Sequence, residues 1–317
     1  HSPDPGCEWS RTAPDYHVPQ EVRIVEPILT GVIAQAANAG ATAADAAAKE
    51  SGNLLVRLLG PSADVMGKHW ADQLRERNLQ RLIRKTEARA AAKELSGEPA
   101  GYANPRVASK VFESAQFAES EVVAEYLSGV LSSSRSETGQ NDAGVAWTSL
   151  ISRLSSDQLK LHYLFYVSIR PQVISEAFNK ANLAHNLECV LPLAEVFMAM
   201  SISETEHFAD AVDGLMREGL IGDGYSYGPK DYIFANEMAL PGTAITFPYP
   251  NGIRLRVTIH GMRLFIWGMG VGALGLESYL NPSLALLATD SSTNTPLDTL
   301  PGFIVKNVVK PSEAGAQ

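Results

Sequence analysis

Apolar residues return every three or four positions through residues 20 to about 135, a spacing that predicts nearly continuous helix there. "AQAANAGATAADAAAKESG" is alanine-rich and suits close helix contacts or a hairpin. "GPSADVMGKHWADQL" restarts a helix with Pro61 in its first turn. In "RERNLQRLIRKTEARAAAK", Leu79, Leu82, Ile83 and Ala90 occupy one side, while Arg77, Arg81, Arg84 and Lys85 share a narrow arc opposite. Further helices are expected at "NPRVASKVFESAQFA" and "ESEVVAEYLSGVLSSS". The polar "SRSETGQNDAG", residues 134–144, then marks the best internal boundary.

Beyond it, "SSDQLKLHYLFYVSI" opens with Ser156 and Asp157 as helix caps, and helices continue through Met200 with Pro171 and Pro192 as joints. Ser203 and Glu206 have capping-box spacing ahead of a helix whose buried stripe is Phe208, Val212, Leu215, Met216 and Leu220. "EGLIGDG" stops that helix, and "YSYGPKDYIFAN" and "NGIRLRVTI" predict a hairpin wing and its partner strand. In "VTIHGMRLFIWGMGVGALGL", Gly268 and Gly272 lie four apart and predict a helix packed closely on another backbone. Its uninterrupted apolar part, residues 264–276, is shorter than the roughly 20 residues a bilayer demands. The expected fold is mainly α: a multi-helix N-terminal region, then a winged-helix-like module with a small β-hairpin. The expected spans are a flexible lead (1–19), a helical region (20–135), the winged-helix-like domain (145–275) and a C-terminal tail (276–317). No internal repeat is seen.

"LLVRLLGPSADVMGKHWADQL", "ESEVVAEYLSGVLSSS", "SRLSSDQLKLHYLFY" and "LMREGLI" together resemble the Abi-alpha (abortive infection alpha) family of bacterial proteins, over roughly residues 50–275. The resemblance implies a bacterial cytoplasm and a role in phage exclusion. It brings no catalytic set to place on this chain.

Charge changes what the helix–wing shape suggests. The 317-residue chain has a formal net charge of −9, unlike a protein that coats nucleic acid. Between residues 201 and 223 stand Glu204, Glu206, Asp210, Asp213, Glu218 and Asp223 against Arg217 alone. A reading helix so charged would be repelled by phosphates, so Glu206, Asp210, Asp213 and Arg217 are read as a protein-contact face. The cationic arc of Arg77, Arg81, Arg84 and Lys85 could dock on that face in a neighbouring subunit, which makes a protein partner or homo-oligomer the expected association.

The chemistry adds little. Cys7 and Cys189 form neither a disulfide framework nor a zinc quartet, which fits a reducing cytoplasm, and the polar, proline-rich opening is not read as a secretory signal. Glu204 and His207 have E-x-x-H spacing, but its only echo is His185 and Glu188 in reversed order, so no metal site is assigned. No nucleophile elbow, P-loop or H-E-x-x-H occurs, and His162, among bulky apolar neighbours, is read as a core histidine. The expectation is a non-enzymatic defence component without catalytic residues or cofactor. One rival is a DNA-binding regulator using Arg254, Arg256 and Arg263 around the wing. The other is a toxin that inserts the glycine-rich helix into membranes.

Overall fold

The computed structural model describes residues 77–95, 101–116, 118, 120–290, 293 and 295–311. The expected lead, the alanine-rich helix and the helix begun by Pro61 lie outside the described residues. The first described element, α1 (Arg77–Leu95), is built from strong helix formers and buries Leu79, Leu82, Ile83 and Ala90, the side the spacing singles out. Helix α2 (Pro105–Ala115) starts where Asn104 accepts from the Arg106 N–H at 3.0 Å, with Pro105 in the first turn.

Helix α3 (Glu121–Ser133) is the hub, although nearly half of its sequence is serine, glycine and glutamate. Every residue from Ala124 to Ser133 is buried, and α1, α2, α4 (Gly144–Ile151), α5 (Ser156–Ser175) and a later helix, α10 (Ile259–Gly268), all pack on it. Small residues allow that crowding. A Cβ on Gly129 would sit 1.7 Å from the Gly268 carbonyl oxygen, so two helix backbones meet with nothing between them. The 134–144 loop therefore separates no domains. One continuous core runs across it, and Arg135, on the loop, is 9% exposed and ion-paired to Glu87. The cap of helix α5 lies one residue before the expected Ser156: Ser155 and Gln158 form a reciprocal capping box. It also runs through Pro171 instead of ending there.

After α5 the chain departs most from the expected run of helices. Residues Glu188–Pro192 are strand β1, followed by α6 (Leu193–Met200), α7 (Thr205–Arg217), β2 (Ser226–Pro229), α8 (Lys230–Ile233), α9 (Ala235–Met238), β3 (Thr243–Ile245), β4 (Asn251–Arg256) and then α10. The chain closes with β5 (Phe303–Ile304), α11 (Val305–Val308) and β6 (Val309–Pro311). A four-stranded antiparallel sheet has the order β2-β4-β1-β5, and β3 pairs with β6 in a separate two-stranded sheet. The register places Glu188 opposite Arg256, Val190 opposite Arg254 and Leu191 opposite Ile253. Strand β1 is buried on both faces: Cys189 and Leu191 enter the main core, while Val190 enters a smaller one with Phe234 and Phe247. A strand covered on both sides loses its period-two signal and reads as a plain apolar run.

Three further expectations are corrected. "KDYIFAN" is helical rather than wing strand; Pro229 opens α8, and the Lys230 N–H donates to the Pro250 carbonyl at 2.8 Å. The glycine-rich segment is not one helix. Helix α10 ends at Gly268, and Gly270, at φ +83°, closes it with a Schellman turn: Val271 N–H to Ile266 carbonyl at 3.0 Å and Gly270 N–H to Trp267 carbonyl at 3.1 Å. Gly272 then opens a 3₁₀ turn, so Gly268 and Gly272 share no helical face. Each is still tightly enclosed, Gly268 by the Tyr126 ring and Gly272 by the Trp267 ring. The expected tail, finally, is built in. Tyr279, Leu286, Ala288 and Ile304 are buried in the main core. Among the described residues no helix is long and apolar enough to cross a membrane.

Candidate interaction surface

Helix α7 presents the candidate surface. Phe208, Val212 and Leu215 are fully buried, and Phe208 packs edge-on against Phe197 of α6 and Tyr227 of β2. Those anchors fix the helix phase, and all four residues read as the contact face, Glu206, Asp210, Asp213 and, in the last turn, Arg217, are exposed. The expected capping box is not formed. Glu204, not Ser203, is the cap residue, and no side chain caps the first turn. The other end is closed by glycine as expected: at φ +67°, Gly219 donates to the Met216 carbonyl, while Leu220 donates to Leu215, each at 2.9 Å. Tyr225 stacks on Tyr227 beside α7. Burial and a hydrogen bond to Asp213 push its hydroxyl up to about 12.

Two of the three arginines that the DNA-binding rival needs, Arg254 and Arg256, are already engaged. Arg254 is held by Glu188 and by both carboxylate oxygens of Glu237, at 3.1 and 2.9 Å. Arg256 donates from Nε and Nη2 to Glu188 at 2.9 and 2.7 Å. Burial alone would raise the Glu188 carboxyl, yet hydrogen bonds from the two arginines outweigh it and hold it below the usual range. Arg263 is exposed on α10. Arg153, after α4, pairs with Glu218 at the end of α7 at 2.9 Å.

The basic arc of α1 also meets its acids within the chain. Arg81 donates to Glu121 at 2.7 Å, and Lys85 and Arg89 both bind the buried carboxylate of Glu125. Arg81 and Lys85 are thus committed to α3 rather than offered to a second subunit. Their aliphatic stems follow the packed side of α1 far enough to bring the charged ends onto α3. Arg84 is the exposed member of the arc, and the Arg77 side chain lies outside the described residues. Arg84→Glu should therefore leave the melting temperature nearly unchanged. Lys85→Glu should cost about 3 kcal/mol, because it sets a like charge against buried Glu125. Equal melting temperatures for the two variants would show that the pairing contributes nothing.

The remaining candidates carry no chemistry that gathers in one place. Glu204 and His207 are 3.7 Å apart, each about two-thirds exposed, and among the described residues no group of three or more His, Cys, Asp or Glu could hold a metal ion. Cys189 is buried and its thiol pushed up, mainly by burial. His162 is a fully buried structural link. The Gly261 carbonyl can only accept, so Nε2 carries the proton (3.1 Å), and Nδ1 accepts from the Tyr126 hydroxyl at 2.6 Å. Beside it, the Tyr166 hydroxyl donates to the Leu220 carbonyl at 2.7 Å and accepts from the Thr258 N–H at 3.1 Å, tying α5 to the end of α7 and the start of α10. Comparison with family models, curated proteins and solved structures finds no match to this chain.

Proposed function

We propose that the chain is a non-enzymatic component of bacterial anti-phage defence, of the abortive-infection type, acting through protein contacts made by a winged-helix-like module. The element order supports the module. Helix α5, strand β1, helices α6 and α7, then β2 and β4 come in succession, with β4 between β2 and β1. In place of a short wing, β2 and β4 are joined by a folded insertion, residues 230–250.

The observation that carries the reading is the charge at α7. Its outer face offers Glu206, Asp210 and Asp213 against Arg217, while Arg254 and Arg256 of the neighbouring sheet are neutralised by Glu188 and Glu237. Phosphate binding releases counterions only where free cations meet the duplex, and this face offers almost none. A helix in the reading position with acids outward suits a protein partner better, since fold alone does not set function. The defence role rests on the likeness of the quoted segments to the Abi-alpha family. The membrane-inserting alternative is disfavoured by α10, whose ten residues span about 15 Å against a hydrocarbon core of about 30 Å.

Two measurements test the proposal. In a salt titration with duplex DNA, no submicromolar complex should form near physiological salt. Tight binding with a steep salt slope, lost on substituting Arg217 or Arg263, would sink the protein-contact reading. In cells challenged with phage, an Asp210→Lys, Asp213→Lys variant should fold normally and lose protection. Full protection by that variant would remove α7 from the mechanism.

A further inference from the structure

We propose that the outer face of the 230–250 insertion, around Tyr232, Met238 and Leu240, is the contact through which two copies of this chain associate about a two-fold axis. The insertion is a small folded unit, not a loose wing. Ile233, Phe234 and Phe247 form a core with Val190, Val305 and Val308, and β3 is pinned to β6. That core fixes α8 and α9 and leaves their outer residues bare: Tyr232 is 65% exposed, Met238 47% and Leu240 59%. Of the large hydrophobic side chains on the described surface, these three cluster most tightly along the chain, within two consecutive short helices and the turn after them.

The electrical character of the unit selects the occupant. Residues 230–250 and 303–311 carry three lysines and two acids, in a chain of net charge −9. Most of those charges are turned to internal partners. Lys230 donates to the carbonyls of Ile245 and Phe247 at 3.0 Å, Glu237 is held by Arg254, and Lys306 is paired with Glu176. Two copies of an acidic chain repel one another over most of their surfaces, α7 included, and approach at least Coulomb cost where that surface is neutral. A face without net sign is compatible with its own image across a two-fold axis, as an isologous contact requires. A charged peptide would find few groups to pair with there, and an anionic membrane would find no cationic rim. This inference does not depend on the defence reading.

Light scattering and sedimentation of the full chain test it. The parent should self-associate to a dimer, and a Tyr232→Glu, Leu240→Glu variant should dissociate about tenfold more readily or worse. Its unfolding midpoint should stay unchanged, because both side chains are already more than half exposed. Should the double variant misfold, Leu240→Cys in a Cys7→Ser background gives a second readout, since Cys189 is buried. Disulfide-linked dimers under mild oxidation are expected. A parent that stays monomeric at every accessible concentration would overturn the proposal. So would a dimer that the double substitution leaves intact, or a Leu240→Cys chain that fails to cross-link.

Discussion

Gly129→Ala is expected to destabilise the protein by about 3 kcal/mol, against the usual rule that alanine improves a helix. Replacing a mid-helix glycine ordinarily gains roughly 0.5–1 kcal/mol from backbone entropy. Here the added methyl would lie 1.7 Å from the Gly268 carbonyl oxygen and 2.2 Å from its carbonyl carbon, atoms that cannot rotate away. Either α3 and α10 separate or α3 shifts within a hub packed on five sides, and overpacking of that kind sits at the upper end of its roughly 1–3 kcal/mol range. Gly219→Ala is the matched control. Its Cβ would meet nothing within 4 Å, so only the left-handed φ of +67° is penalised, by about 1 kcal/mol. Urea unfolding midpoints should therefore rank parent, Gly219→Ala and Gly129→Ala in falling order. A Gly129→Ala chain as stable as the parent would mean that the two backbones do not meet.

Stability should also fall steeply as the pH drops below about 6.5. Burial lowers His162 from its ordinary value to about 3, with the hydrogen bond to Gly261 opposing that shift only in part. The unfolded chain takes up this proton near pH 6.5 and the folded chain does not, so the contribution is complete above 6.5 and is lost as pH falls toward 3. Over that window the loss amounts to about 4–5 kcal/mol, comparable with the whole stability of many domains. The carboxyls held low by ion pairs, among them Glu188 and Glu218, act only in the lower part of the range, near and below the ordinary carboxyl value. His260, exposed at the start of α10, shifts in the same direction as His162, chiefly through partial desolvation and the neighbouring charge of Arg263. A His162→Gln variant, which can hydrogen-bond but not titrate, isolates the effect. Its melting temperature should fall less than the parent's between about pH 6.5 and 5, and parallel curves would refute the assignment.

Particular residues show what the sequence makes legible and what it hides. The buried stripe of α7 is legible because one face meets water, so its apolar period survives in the sequence, and Gly219 marks its end. The buried side of α1 is legible for the same reason. The opposite arc is not, because long cationic side chains reach across a helix boundary and their partners, Glu121 and Glu125, lie on another element. Strand β1 is hidden by burial on both faces. The break after Gly268 is obscured because closely spaced glycines suggest tight packing, while the one at Gly270 terminates the helix. The segment "ESEVVAEYLSGVLSSS" is legible as a helix but not as the centre of the bundle, which is where it lies. Nothing local announces that, since the advantage of small side chains emerges only when five other helices close around them.

The position of β1 in the sheet has a consequence for how the chain is made. Its two neighbours arrive late: β4 supplies one edge only after residue 251 has been synthesised, and β5 supplies the other only after residue 303. A chain emerging from the ribosome therefore carries Cys189–Leu191 for some time as an apolar strand with both edges unpaired, the form most open to wrong pairing with another nascent chain. Closure of the sheet by a segment so far downstream delays productive folding until long after β1 itself has emerged. Premature release before residue 303 should yield aggregates, even though every helix from α1 to α10 is already present.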